Sequence, residues 1–145
     1  MGDLYLVGVD GSESSRRAVH LAAEMARHSG ARLLLAHVVQ VSAGIAMAPE
    51  APELRVGLAD SEHERAAAEM LAGFATDARG LGCRVVETEI LHGDPATALA
   101  ELAAERAARQ IFVGRHGHSR VHEILFGSVL LSLGHKAAVP VTLVP

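Results

Sequence analysis

The sequence predicts a single α/β domain: an open, parallel, five-stranded sheet flanked by helices. Two observations carry this. Five short runs rich in Val, Leu and Ile alternate with four segments of helical apolar spacing, in the order βαβαβαβαβ. Most of these runs are nearly continuous in apolar residues, as in parallel strands buried on both faces. Right-handed crossovers then spread the helices over both faces of the sheet. Composition agrees. Half of the 145 residues are hydrophobic but only 3% are aromatic, so Val, Leu, Ile and many alanines must build the core. No repeat or linker divides the chain, and residues 1–145 read as one domain.

Each element has its own signal. LYLVGVD, residues 4–10, is a buried strand. In the GSESS that follows, Ser12 can cap a helix, with Ser15 at its N3 position. Ala18, Ala22, Met25 and Ala26 give that helix an apolar stripe, and Gly30 suits its C-terminal end. Residues 31–41 form the second strand. Residues 42–57, with two prolines and two glycines, read as a long loop. Ser61-Glu-His-Glu64 is a capping-box pattern, predicting a second helix lined by Ala67, Leu71, Phe74 and Ala78.

Residues 84–91 alternate enough to suggest a less buried strand towards an edge. Asp94 and Pro95 then fit the N-cap and first position of a third helix, whose inner face is Ala98, Leu99, Leu102 and Ala103. Residues 110–114 are the fourth strand. A fourth helix is expected from about residue 128, and residues 140–144 close the fold as a strand.

Several functions lose support at this level. The net charge is −4 and the 13 basic residues are dispersed, which disfavours nucleic-acid binding. No run approaches the length of a membrane span, and the N-terminus lacks a basic leader region. The expectation is a cytoplasmic protein with no membrane partner. Cys83 has no partner cysteine and reads as a core or near-surface residue. Nine histidines include His116, His118 and His122, but no zinc-binding spacing, so no metal site is assigned. His37 reads as a hydrogen-bonded strand residue. No Gly-x-Ser-x-Gly elbow, Walker lysine or dinucleotide G-x-G-x-x-G is present, and no catalytic residue is assigned.

Candidate binding residues cluster at strand ends. Open parallel sheets bind ligands beyond the carboxyl ends of their strands, where the strand order reverses. Strand one ends in Val9-Asp10-Gly11-Ser12 and strand four in Val113-Gly114-Arg115-His116-Gly117. Gly114 and Gly117 lack a Cβ, so backbone N–H groups there can approach an anion. Gly127 and Ser128 are expected at a helix start, which favours phosphate. Arg115 can add charge. Asp10 either caps its own turn, accepts from a ribose hydroxyl, or helps hold a phosphate-bound metal. Val38 and Val39 can wall an adenine.

Taken together, these motifs resemble the universal stress protein family over essentially the whole chain. The family pattern G-2x-G-9x-G-(S/T) occurs as Gly114, Gly117, Gly127 and Ser128, followed by Val129. D-x-S-x-x-S occurs as Asp10, Ser12 and Ser15, and G-D-P as Gly93, Asp94 and Pro95; the closing strand PVTLV also matches. The resemblance implies a Rossmann-like domain of strand order 3-2-1-4-5 that binds ATP, with Mg2+ carried by the nucleotide. It puts Asp10 near ribose and adenine, and Gly114, Gly117, Gly127, Ser128 and Val129 around the phosphates. Backbone at Val9 and Val38 lies near the adenine. It also implies a homodimer through the C-terminal strand, with Val141 and Leu143 at the contact, and a role in stress response through an unidentified signalling partner. Where many relatives have Asp before strand four, this chain has Arg109-Gln110. Two alternatives stay open: a dimeric interaction module that binds no nucleotide, and a weak ATPase.

Overall fold

The computed structural model describes residues 2–40, 52–115 and 123–145, with 52–60 and 123–127 as backbone only. The strands are β1 (Leu4–Gly8), β2 (Arg32–Val39), β3 (Val86–His92), β4 (Gln110–Gly114) and β5 (Val141–Val144). The helices are α1 (Glu13–Ser29), α2 (Pro52–Gly80), α3 (Pro95–Glu105) and α4 (Glu123–Lys136). All strand pairs are parallel and the order is β3-β2-β1-β4-β5.

Period-two alternation divides the core between the two faces of the sheet. Tyr5, Val7, Leu33, Leu35 and Phe112 pack with α1 and α2. Leu4, Leu6, Leu34, Ile111 and Val113 pack with α3 and α4. The central strand β1 is apolar throughout because helices cover both its faces. Burying each of its leucines contributes about 2 kcal/mol. On α1 the buried arc is Ala18, Val19, Ala22, Ala23 and Ala26, all at most 1% exposed. Small side chains let the helix lie close to the sheet. Met25, expected in that stripe, falls at the edge of the arc and is 36% exposed.

The ends of α1 behave as the sequence indicates. Ser12 Oγ accepts from the Ser15 N–H at 3.1 Å, and Gly30 closes the helix in the left-handed region at φ 76°. Asp94 caps α3, accepting from the Thr97 N–H at 3.0 Å and the Thr97 hydroxyl at 2.8 Å. Leu99, Leu102 and Ala103 form the inner face of α3 as expected, but Ala96 is buried and Ala98 only half-buried.

Two helix starts differ from expectation. No N-cap forms at Ser61, because α2 begins at Pro52 and carries Ser61 in its interior. Proline suits a first helical turn. Gly57, read as a breaker, weakens a helix interior by only about 1 kcal/mol. The buried stripe of Ala67, Leu71, Ala75 and Ala78 anchors the helix on the sheet. The expected loop therefore ends before residue 52, and its residues 42–51 lie outside the described residues. Helix α4 begins at Glu123 rather than near residue 128.

The third strand starts at Val86, two residues later than expected, and is a half-exposed edge as predicted. Cys83 is buried and free, and burial raises its thiol pKa.

The α3 cap gives a pH-dependent test. Hydrogen bonds from Thr97 hold the Asp94 carboxyl below its usual pKa. A depressed carboxylate stabilises the fold fully above its unfolded pKa and loses that contribution as pH falls through the folded pKa. Asp94→Ala is expected to destabilise the protein by about 1 kcal/mol near neutral pH, with the deficit shrinking in acid. Urea denaturation at several pH values measures this.

Candidate functional site

The chain leaves β1 towards α1 on one face and leaves β4 towards α4 on the other. This divergence opens a crevice at the carboxyl ends of two adjacent strands. The last β1–β4 pair is Gly8 with Val113. A Cβ on Gly8 would meet Leu99 at 2.9 Å and Val113 at 3.2 Å. Its absence lets α3 close over the sheet at this point.

Beyond Gly8, the Val9 N–H donates to the Ala36 carbonyl at 2.9 Å, extending the contact with β2. Asp10 Oδ1 then accepts from the Ser12 N–H at 2.9 Å. Gly11, at φ +83°, makes the turn possible. Ser15 Oγ donates to the Ser12 carbonyl at 3.0 Å. Buried Ser12 and Ser15 are thus spent on winding the first turn of α1.

That turn lies directly on the end of β4. A Cβ built on Gly114 would be 2.6 Å from both the Ser14 carbonyl carbon and the Ser15 nitrogen. No side chain fits between them. The two stretches singled out in the sequence, Asp10–Ser15 and Val113–Arg115, are therefore packed together. The Arg115 N–H donates to the Val144 carbonyl at 2.7 Å, tying the start of the glycine loop to β5.

A cleft of about 560 Å³ opens here. Val9, Asp10 and Val38 form its floor, Ala67 and Met70 of α2 one wall, and Val129 and Leu133 of α4 the other. Its volume lies within the usual range for small-molecule sites, and apolar walls with few polar groups are typical of them. Among the described residues, no three His, Cys, Asp or Glu side chains converge to hold a metal ion.

Of the expected binding residues, Val9, Asp10, Val38 and Val129 line the cleft. Gly114 and Arg115 stand beside α1 and β5 instead. Gly127 and Ser128 precede Val129 but lie past the start of α4, not at its mouth, because the helix begins at Glu123. Its N-terminal N–H groups thus belong to an earlier stretch than the sequence suggested. Gly117 lies outside the described residues. The contributions of Met70 and His37 to the cleft were not read from the sequence. Met70 flanks a stripe that looks purely structural, and His37 sits inside a strand.

The family pattern of the universal stress proteins matches residues 5–145. The chain belongs to the universal stress protein family. It is 32% identical over 145 residues to universal stress protein Rv1636 of Mycobacterium tuberculosis, covering 96% of this chain and 93% of that one. A solved universal stress protein in complex with cAMP is similar at 29% identity and a TM-score of 0.71, covering 99% of this chain and 96% of that one. Universal stress protein UspA from Lactobacillus plantarum shares the fold, with a TM-score of 0.83 at 23% identity, covering 99% of this chain and 97% of that one. The family's first pattern glycine, Gly114 here, has a packing role in this chain whatever else it does.

That role is testable. Gly114→Val forces the first turn of α1 off β4 and is expected to destabilise the protein by about 1–3 kcal/mol. Urea denaturation measures it; unchanged stability would mean that the turn moves aside freely.

Proposed function

We propose that this universal stress protein binds an adenine nucleotide, ATP in the first instance, and works by binding rather than by efficient catalysis. The observation that carries the reading is the cleft at the strand-order reversal, with Asp10 on its floor and the stretch Gly114-x2-Gly117-x9-Gly127-Ser128 leading into its Val129 wall. In this reading Val9 and Val38 lie against the adenine and Asp10 accepts from the ribose. The glycine stretch, with Arg115, holds the phosphates, and Mg2+ arrives with them. The cAMP complex of a relative supports an adenine nucleotide as the ligand class. The phosphates make the difference between ATP and a shorter nucleotide, because several backbone donors and a cation act on them together.

The protein is also proposed to form a homodimer through β5. Among the described residues, that strand pairs with β4 on one side only, and Leu143 is 48% exposed on it. An unpaired edge with an exposed Leu invites a second strand. Bound nucleotide and dimer together suit a signalling role, in which occupancy alters affinity for a partner protein.

Calorimetry on nucleotide-stripped protein tests the first proposal, with and without Mg2+ and with AMP as control. Saturable, stoichiometric ATP binding that exceeds AMP binding is expected. Gly127→Val should weaken ATP by at least about tenfold, equivalent to 1.4 kcal/mol, while circular dichroism stays unchanged. Full ATP affinity in that variant would remove Gly127 from the site, and no binding to folded wild type would favour the nucleotide-free interaction module. For the dimer, light scattering of Leu143→Arg should report a monomer where wild type reports a dimer.

A further inference from the structure

Among the described residues, the ring of His37 offers the cleft a nitrogen that no protein group engages. His37 lies on β2, half-buried, and lines the cleft. Its Nδ1 is 2.7 Å from the Val9 carbonyl oxygen. A carbonyl can only accept, so Nδ1 carries the proton and donates. In the neutral ring Nε2 is then the bare acceptor. No described residue donates to it.

The other polar side chains of the cleft are differently placed. Asp10 has one oxygen engaged by the Ser12 N–H. Gln40 and His63 are exposed at the rim. Among the described residues of the cleft, His37 is the one that combines partial burial, a fixed tautomer and an acceptor with no protein donor. It is bonded to Val9 and adjoins Val38, the two residues placed against the purine above.

We propose that His37 is a specificity determinant: its Nε2 accepts from the exocyclic amine of a bound adenine. This rests on the nucleotide reading of the cleft. The amine is the hydrogen-bond donor on the six-membered ring of adenine. Guanine and hypoxanthine carry an oxygen there, which would set one acceptor against another. Sites that bury an unpaired polar atom reject the analogue that cannot satisfy it. The bond to Val9 acts as the support that fixes the ring, since it selects the tautomer.

The test compares ATP with purine-riboside 5′-triphosphate, which has hydrogen in place of the amine, by calorimetry on nucleotide-free protein. Wild type is expected to favour ATP by about tenfold. His37→Phe should remove that preference, lowering ATP affinity to the level of the deamino analogue. If His37 only braces the β1–β2 junction, the variant weakens both nucleotides alike and keeps the ratio, which overturns the proposal. Equal binding of the two nucleotides by wild type overturns it as well, while leaving the nucleotide reading intact. Failure of folded wild type to bind either nucleotide refutes the nucleotide reading itself. His37→Leu repeats the comparison if the phenyl ring prevents folding.

Discussion

The contact between the first turn of α1 and the end of β4 is the constraint on which the site depends. It exists because position 114 carries no side chain: the backbone of Ser14 and Ser15 occupies the space a Cβ would need. Everything at the carboxyl edge of the sheet follows from this approach. It sets the turn after Asp10 beside Gly114 and leaves the cleft between α2 and α4. Gly8 works in the same way on the opposite face, admitting Leu99 of α3. The two glycines flank the strand-order reversal from either side of the sheet, so close backbone packing and the ligand crevice have one origin.

The core that supports this edge is aliphatic and finely divided. With few aromatic rings available, the fold seats alanine-rich helices close to Leu- and Val-rich strands. Tyr5 and Phe112 form an edge-to-face pair within it, with centroids 5.5 Å apart. A core of small residues has many contacts of modest individual size. It fixes helix positions well, because a shift of one helix disturbs many of them at once. That suits a site to which six separate elements contribute: β1, β2, β4, α2, α3 and α4.

Polar groups near the cleft fall into two sets. Ser12 and Ser15 are buried and committed to the α1 cap, so they serve geometry rather than ligand. His37 does both, since one ring nitrogen braces Val9 and the other remains open. Asp10 is similar, with one oxygen holding the turn. These bonds hold Asp10 and His37 in place before ligand arrives, which limits the ordering cost of binding. His92 and Glu64, 2.8 Å apart, link the end of β3 to α2 and steady the far wall.

Much of this was legible in the sequence. Short apolar runs and helical spacing identified the nine elements among the described residues, and caps at Ser12 and Asp94 and the Gly30 stop were recognisable because they act through a few neighbouring residues. The motif order pointed to the family and to Asp10, Val9, Val38 and Val129 as cleft residues. Local signals failed at Ser61 and near residue 128. A capping box or a Gly-Ser step only permits a helix start; burial of the whole helix decides whether one occurs there. The sequence by itself thus determined the elements, their parallel arrangement and the crevice end of the sheet. The tertiary structure alone decided that Gly114 is a packing glycine, that Met70 walls the cleft and that His37 turns one nitrogen to Val9. Each of these depends on distances between residues far apart in the chain, which no local pattern encodes.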